Sequence, residues 1–166
     1  YGEFNLECVG KHIPESKQPA RVAELLREHK PDILVLTGHD SITKGKKEYK
    51  DLGNYRNTRY FIEAVREARR HEPSLDDLAI FAGACQSNYQ ALLTAGANFA
   101  SSPRRVLIHA LDPVLVCQKI AYTAVDRMVS VKDVINNTVT GAKGIGGVQT
   151  RGKYREGFPR ETYNGE

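Results

Sequence analysis

The stretch Ser74-Leu75-Asp76-Asp77-Leu78-Ala79-Ile80-Phe81-Ala82-Gly83-Ala84-Cys85-Gln86-Ser87-Asn88-Tyr89-Gln90 decides how this chain of 166 residues folds. Residues 78 to 82 form a short apolar run between an acidic turn and Gly83, which predicts a strand buried on both faces of a parallel sheet. From Asn88 the spacing turns helical, with Tyr89, Leu92 and Leu93 on one side and Gly96 as the stop. Cys85 therefore stands where a strand gives way to a helix. The first N–H groups of a helix and its dipole favour an anion, and here the anion is a thiolate. Small Gly83 and Ala84 leave main chain open on the approach side, as an oxyanion site of backbone N–H groups requires. A free cysteine is otherwise a small buried hydrophobe, and position alone does not separate the two.

A second stretch of the same design separates them: Lys30-Pro31-Asp32-Ile33-Leu34-Val35-Leu36-Thr37-Gly38-His39-Asp40. An apolar run again follows a turn, and a small residue and a reactive side chain stand at its carboxyl end. In an open α/β sheet the carboxyl ends of neighbouring strands share one rim, where ligands bind. His39 and Cys85 are expected to meet on that rim. The histidine comes first, by 46 residues, close to the roughly 50 that separate histidine from cysteine in caspases. Ala84-Cys85 keeps the small-residue-then-cysteine element and lacks the caspase flanks.

The pair suits attack on a carbonyl carbon. Cys85 would act as thiolate, and His39 would take the thiol proton or give one to the leaving amine. The oxyanion would rest on the backbone N–H of Cys85 and one near Gly38. His109 is a second, less favoured candidate for the base because it lies downstream of the cysteine. His12, His29 and His71 fall in a loop or near helix ends and read as surface residues. Asp40 and Asp112 follow rim positions, so either could offer a carboxylate to a basic side chain before the cut bond. Each also has a structural reading, Asp112 as a helix cap and Asp40 as a turn residue.

Composition bounds the remaining options. Hydrophobic residues at 40% and charged residues at 27% are an ordinary soluble globular profile, and the length suits one domain with its own core. Cys8, Cys85 and Cys117 are odd in number and far apart, with no spacing that holds zinc, so neither a metal nor a cofactor is expected and a reducing compartment fits best. The net charge of +4 invites a nucleic-acid reading. Its basic residues, however, scatter over Arg66, Arg69 and Arg70, the loop 44–50 and the end 143–160 without a nucleic-acid fold signature, and so read as solvated faces. No apolar run approaches the roughly 20 residues that span a bilayer. The start, Tyr1-Gly2-Glu3-Phe4, lacks a methionine and a signal pattern, as in a piece of a longer protein.

Along the chain the expected order is a strand over 4–9, a helix from Pro19 through Val22, Leu25, Leu26 and His29, and the strand before His39. A polar loop over 40–57 follows, long enough to contact a substrate. Asn57 or Thr58 caps a helix to about Arg70 with Phe61, Val65 and Ala68 inward. Beyond the Cys85 unit come strands over 97–101 and 106–110, a helix opened by Asp112-Pro113, and a last helix from Ser130 to about Val139. One strand within 145–150 then precedes a basic, flexible tail. Alternating strands and helices imply a mostly parallel sheet with helices on both faces, a domain over 1–150 and a tail over 151–166.

Several runs also carry a family likeness. LTGHDS around His39, NYRNTRYFIEAV, EPSLDDLAIFAGACQSNYQALL around Cys85 and GANFASSPRRVLIHALDPV resemble the YabG family of sporulation-specific cysteine proteases, nearly to Phe158. The resemblance implies a caspase-like three-layer sandwich with His39 and Cys85 as the catalytic positions and cleavage after arginine or lysine. It also implies self-processing, and protein substrates of the spore coat in the mother-cell cytoplasm of a sporulating bacterium. Family members carry a further amino-terminal region, so this stretch is expected to be their peptidase portion. In the wider caspase-like clan a glycine follows the histidine, whereas here Gly38 precedes it and Asp40 follows. Two rivals remain at this level: a cysteine amidase or amidotransferase-like hydrolase, which the histidine-first order disfavours, and a non-catalytic α/β protein-binding module, which fold alone does not exclude.

Overall fold

The computed structural model describes residues 1–43, 45 and 48–157. Its main sheet has four strands in the order β1 (Ile33–Leu36), β2 (Ala79–Ala82), β3 (Phe99–Ala100) and β5 (Gly146–Gly147). The first three are parallel and β5 closes the edge antiparallel. Among the described residues five α-helices flank it: α1 (Gln18–His29), α2 (Thr58–His71), α3 (Tyr89–Ala95), α4 (Asp112–Ala121) and α5 (Val131–Asn137). β4 (Met128–Val129) and β6 (Thr150–Arg151) make a separate antiparallel ribbon.

Strand alternation sorts the core into two layers. Leu34, Leu36, Ile80 and Ala82 face one way, onto Val22 and Leu26 of α1, Phe61, Val65 and Ala68 of α2 and Leu92 of α3. Ile33, Val35, Ala79 and Phe81 face the other way, onto Val116 and Ile120 of α4 and Val134 of α5. Side chains of a strand point alternately to opposite faces, so a run apolar at every position needs cover on both. The result is a three-layer α/β sandwich. The crossovers from β1 to β2 and from β2 to β3 step the same way across the sheet, and their helices α2 and α3 share a face, as right-handed connections demand.

Four expectations change. Residues 4–9 form no strand; a 3-10 turn over Gly2–Phe4 leads instead into an exposed segment. Residues 106–110 pair with no strand, and the carbonyl of Val106 accepts from the Gln86 N–H at 3.2 Å. The chain past 150 continues in packed structure rather than as a tail: β6 pairs with β4, Tyr154 bridges Ala124, and Lys153 Nζ donates to the carbonyls of Asp76 and Asp77. The rest of that expected tail, 158–166, lies outside the described residues, as do 44, 46 and 47 of the basic loop. Arg69, grouped by sequence on a solvated face, is turned inward. Its guanidinium donates to the carbonyls of Gly96, Glu72, Ser74 and Leu78 and to Asn98 Oδ1, pinning the amino ends of the strands.

Candidate active site

The site is assembled where β1 and β2 end. Leu36 pairs with Ala82, and the last turn of the ladder is extended by Gly83 N–H to Leu36 O at 2.9 Å and Thr37 Oγ1 to Gly83 O at 3.0 Å. His39 and Cys85 each lie three residues beyond that pair. Parallel neighbours run about 4.8 Å apart, so equal overhangs bring both residues to one rim.

Cys85 occupies a tight turn from Ala84 to Ser87. The turn is closed by Ser87 N–H to Ala84 O at 3.3 Å and Ala84 N–H to Ser87 Oγ at 3.0 Å. Gln86 takes a left-handed φ of 60° to complete it, a conformation that costs a side chain about 1–2 kcal/mol and persists where the surroundings over-determine it. Gly83 enters at φ 106°, where a Cβ would stand 2.7 Å from Ser101 Oγ and 2.8 Å from Leu92 Cδ1. The Cys85 thiol is half-buried, with Ile108 O 4.0 Å from its Sγ. Unpaired residues 106–108 thus wall one side of the thiol. α3 starts only at Tyr89 and is capped by its own Asn88, whose side chain accepts from Ala91 N–H. The sequence argument from helix N–H groups and dipole therefore gives way to a turn four residues upstream of the helix.

His39 is held by its backbone and leaves its ring in solvent. Its N–H donates to Glu15 Oε1 at 2.7 Å, its carbonyl accepts from Asn57 Nδ2 at 2.7 Å, and its side chain is 94% exposed. Nδ1 is 3.5 Å from the same Glu15 oxygen. Gly38 beside it leaves room for the Glu15 carboxylate, which would have to shift if a Cβ stood there. Among the described residues no hydrogen bond joins the His39 ring to Cys85, and the backbone N–H groups of Gly38 and Cys85 have no protein partner.

Asp40 lies under the two turns and is almost wholly buried. Oδ1 accepts from Ser41 N–H and Asn57 N–H, and Oδ2 accepts from Ser87 Oγ and Thr58 Oγ1. Thr58 Oγ1 in turn accepts from Asn88 N–H at 3.1 Å. Asn57 is the N-cap residue of α2 and makes no side-chain capping bond; Asp40 instead holds the Asn57 N–H and the Thr58 hydroxyl and so ties the start of α2 to the cysteine turn. Asp112 is the first residue of α4, fully buried, and accepts from the N–H groups of His109, Val139 and Thr140 and from Thr140 Oγ1. Both candidate specificity carboxylates thus have their oxygens occupied by the protein. His109 is exposed, and its Nδ1 accepts from Leu111 N–H. Among the described residues no three His, Cys, Asp or Glu cluster closely enough to hold a metal ion, and no helix is long and apolar enough to cross a membrane.

Sequence reasoning missed Glu15, Ser87 and Thr58. Ser87 and Thr58 stand beside recognised helix starts, and that position was their only signal. Glu15 sits in a 3-10 turn over Glu15–Lys17, and nothing in its surroundings points to a histidine 24 residues away.

The family whose model is described as YabG peptidase U57 matches residues 1–159. The chain belongs to the YabG peptidase family. Over 159 residues it is 48% identical to the sporulation-specific protease YabG of Bacillus subtilis (strain 168), covering 96% of this chain and 55% of that relative. The chain thus spans about half the length of the relative it matches. No solved structure matches it. The match takes in both rim turns, Glu15, and every residue bonded to Asp40, so the YabG-family likeness extends across the whole sandwich.

Proposed function

We propose that this chain is a cysteine endopeptidase with Cys85 as nucleophile and His39 as acid–base, acting on proteins of the sporulating cell. The observation that carries the reading is the equal overhang of His39 and Cys85 beyond the Leu36 and Ala82 pair, with the Gly38 and Cys85 N–H groups left without a partner among the described residues. A peptide carbonyl entering this rim meets a sulfur at a turn apex and two donors for its oxygen.

In the reaction His39 takes the thiol proton, and Cys85 Sγ bonds to the carbonyl carbon. The oxyanion is received by the Gly38 and Cys85 N–H groups. Collapse of the intermediate breaks the C–N bond, and the His39 imidazolium gives its proton to the departing amine, which leaves the acyl group as a thioester. Water deprotonated by the same imidazole hydrolyses the thioester and restores the thiol. An acid–base that serves the leaving amine stands across the scissile bond from the sulfur, which fits two side chains on separate turns with no hydrogen bond between them.

The substrate segment would lie between the wall at 106–108 and residues 48–57. Tyr49 in that stretch is held by Asn88 of the α3 cap, whose Nδ2 donates to Tyr49 O, and by Arg105, stacked 4.5 Å over its ring. Cleavage after arginine or lysine follows from charge rather than a direct grip. Asp40 and Asp112 are buried carboxylates with no cationic partner among the described residues, and their negative charge would favour a basic side chain without touching it. The relative's name supports proteins of the sporulating cell as substrates, and within that reading we include spore coat proteins, processing of the chain itself, and action in the mother-cell cytoplasm and at the coat.

The test is incubation of wild type, Cys85→Ala and His39→Ala with an arginine-rich coat protein, followed by mapping of the new termini. Cuts after basic residues that vanish in both variants support the dyad. Cuts that persist in both end the assignment, and binding without cutting by wild type moves the chain to the protein-binding module.

A further inference from the structure

The geometry points to Glu15 as the third member of the machinery, a positioning residue that holds His39 at the rim and orients its ring. The inference rests on the dyad reading and deepens it. Glu15 precedes α1 and reaches the end of β1, 24 residues on, through one oxygen that serves two groups: the His39 N–H at 2.7 Å and Nδ1 at 3.5 Å. A carboxylate oxygen 3.5 Å from Nδ1 offers that nitrogen's proton an acceptor, which leaves Nε2 as the working atom.

Two further observations show a built arrangement rather than a chance surface pair. Gly38 makes room for the carboxylate, since any larger residue would displace it. The segment carrying Glu15 is fastened to the same strand end by buried Gln18, whose Nε2 donates to Ile13 O and Thr37 O. The Glu15 side chain keeps 21% of its surface. Desolvation works to raise its carboxyl, yet the His39 N–H, its own N–H and the charge and hydrogen bond of the His39 ring together carry it below the usual carboxylate range. Among the described residues His39 is the one titratable side chain that bears on it there.

The test uses Glu15→Gln and Glu15→Asp. Glutamine keeps an oxygen for the His39 N–H and removes the charge, so anchoring and electrostatics separate. At unchanged KM, kcat should fall about ten-fold or more, a fraction of the roughly 10²–10⁴ that a placed acid–base supplies. Aspartate should restore part of the loss. The ring nitrogens of His39, read by NMR at one pH in wild type and Glu15→Gln, should show the Nδ1-protonated tautomer preferred in the wild type and less so in the variant, a readout independent of turnover. An unchanged tautomer with wild-type kcat overturns the inference while leaving the dyad intact. Cutting retained by His39→Ala overturns the reading beneath it.

Discussion

Ser87 Oγ donates to Asp40 Oδ2 at 2.8 Å, so the residue after the candidate base and the residue two beyond the candidate nucleophile are joined by one buried hydrogen bond. The same hydroxyl accepts from Ala84 N–H. Through Asp40 the bond continues to Thr58 at the start of α2 and, through Thr58, to Asn88 at the cap of α3. Two rim turns that meet only at their roots are thereby fixed relative to each other from below, which a catalytic pair on separate turns needs if both are to address one carbonyl.

Ser87→Ala removes the donor to Asp40 and strands the Ala84 N–H in the core. The expected loss is about 1–3 kcal/mol, the cost of leaving a buried polar group unsatisfied, read as a lower urea midpoint at unchanged slope. Peptidase activity should fall further than stability alone explains, because the cysteine turn loses its tether. An unaltered midpoint would show that water replaces the hydroxyl without cost and that the two turns are held by other means.

Asp40→Asn tests whether this carboxylate organises the rim or also draws the substrate. Asparagine retains an oxygen for Ser41 and Asn57 but turns donors of Ser87 and Thr58 toward an amide nitrogen, so stability should drop by about 1–3 kcal/mol. If the charge contributes to selection, the ratio of kcat/KM for a peptide with arginine before the cut to one with glutamine there should shrink as well. A stability loss with an unchanged ratio would assign selectivity elsewhere on the rim.

The layers of this fold were legible because they rest on local apolar pattern. Residues 78–82 and 33–36 could not be soluble on either face, and Gly96 and Pro73 stopped their helices where expected. What was not legible is pairing among polar residues. Asp40 reads as a turn aspartate because its partners Thr58 and Ser87 lie 18 and 47 residues away. Glu15 has no sequence link to His39, and Arg69 looks like its helical neighbours although five acceptors turn it inward. Residues 106–110 have the composition of a strand, but β5 pairs beside β3 and leaves them no edge.

The three thiols occupy three environments, which makes alkylation diagnostic. Cys8 is exposed, Cys85 half-buried and Cys117 buried; burial pushes the Cys117 thiol up to about 12 despite a hydrogen bond from Tyr1 that acts the other way. Iodoacetamide at neutral pH should modify Cys8 and Cys85 and spare Cys117 until the protein unfolds, as read by peptide mass spectrometry. In a Cys8→Ser variant the loss of cutting should follow the remaining label in proportion. Complete modification of Cys85 with undiminished cutting would remove it from the mechanism.

Gly83 and Gly141 both have positive φ, 106° and 69°, but only Gly83 is crowded. Gly141→Ala meets nothing within 4 Å, so it should cost about 1 kcal/mol of backbone strain and leave activity unchanged. Gly83→Ala adds a Cβ against Ser101 Oγ and Leu92 Cδ1, which brings the expected loss to about 2–4 kcal/mol. Ser101 Oγ donates to Ala84 O at 2.6 Å, and moving it shifts the turn that carries Cys85. The pair of variants, compared by thermal unfolding and by turnover, separates strain from crowding. Equal losses in both would mean that the backbone conformation alone sets the cost and that the cysteine turn yields freely to an added methyl group.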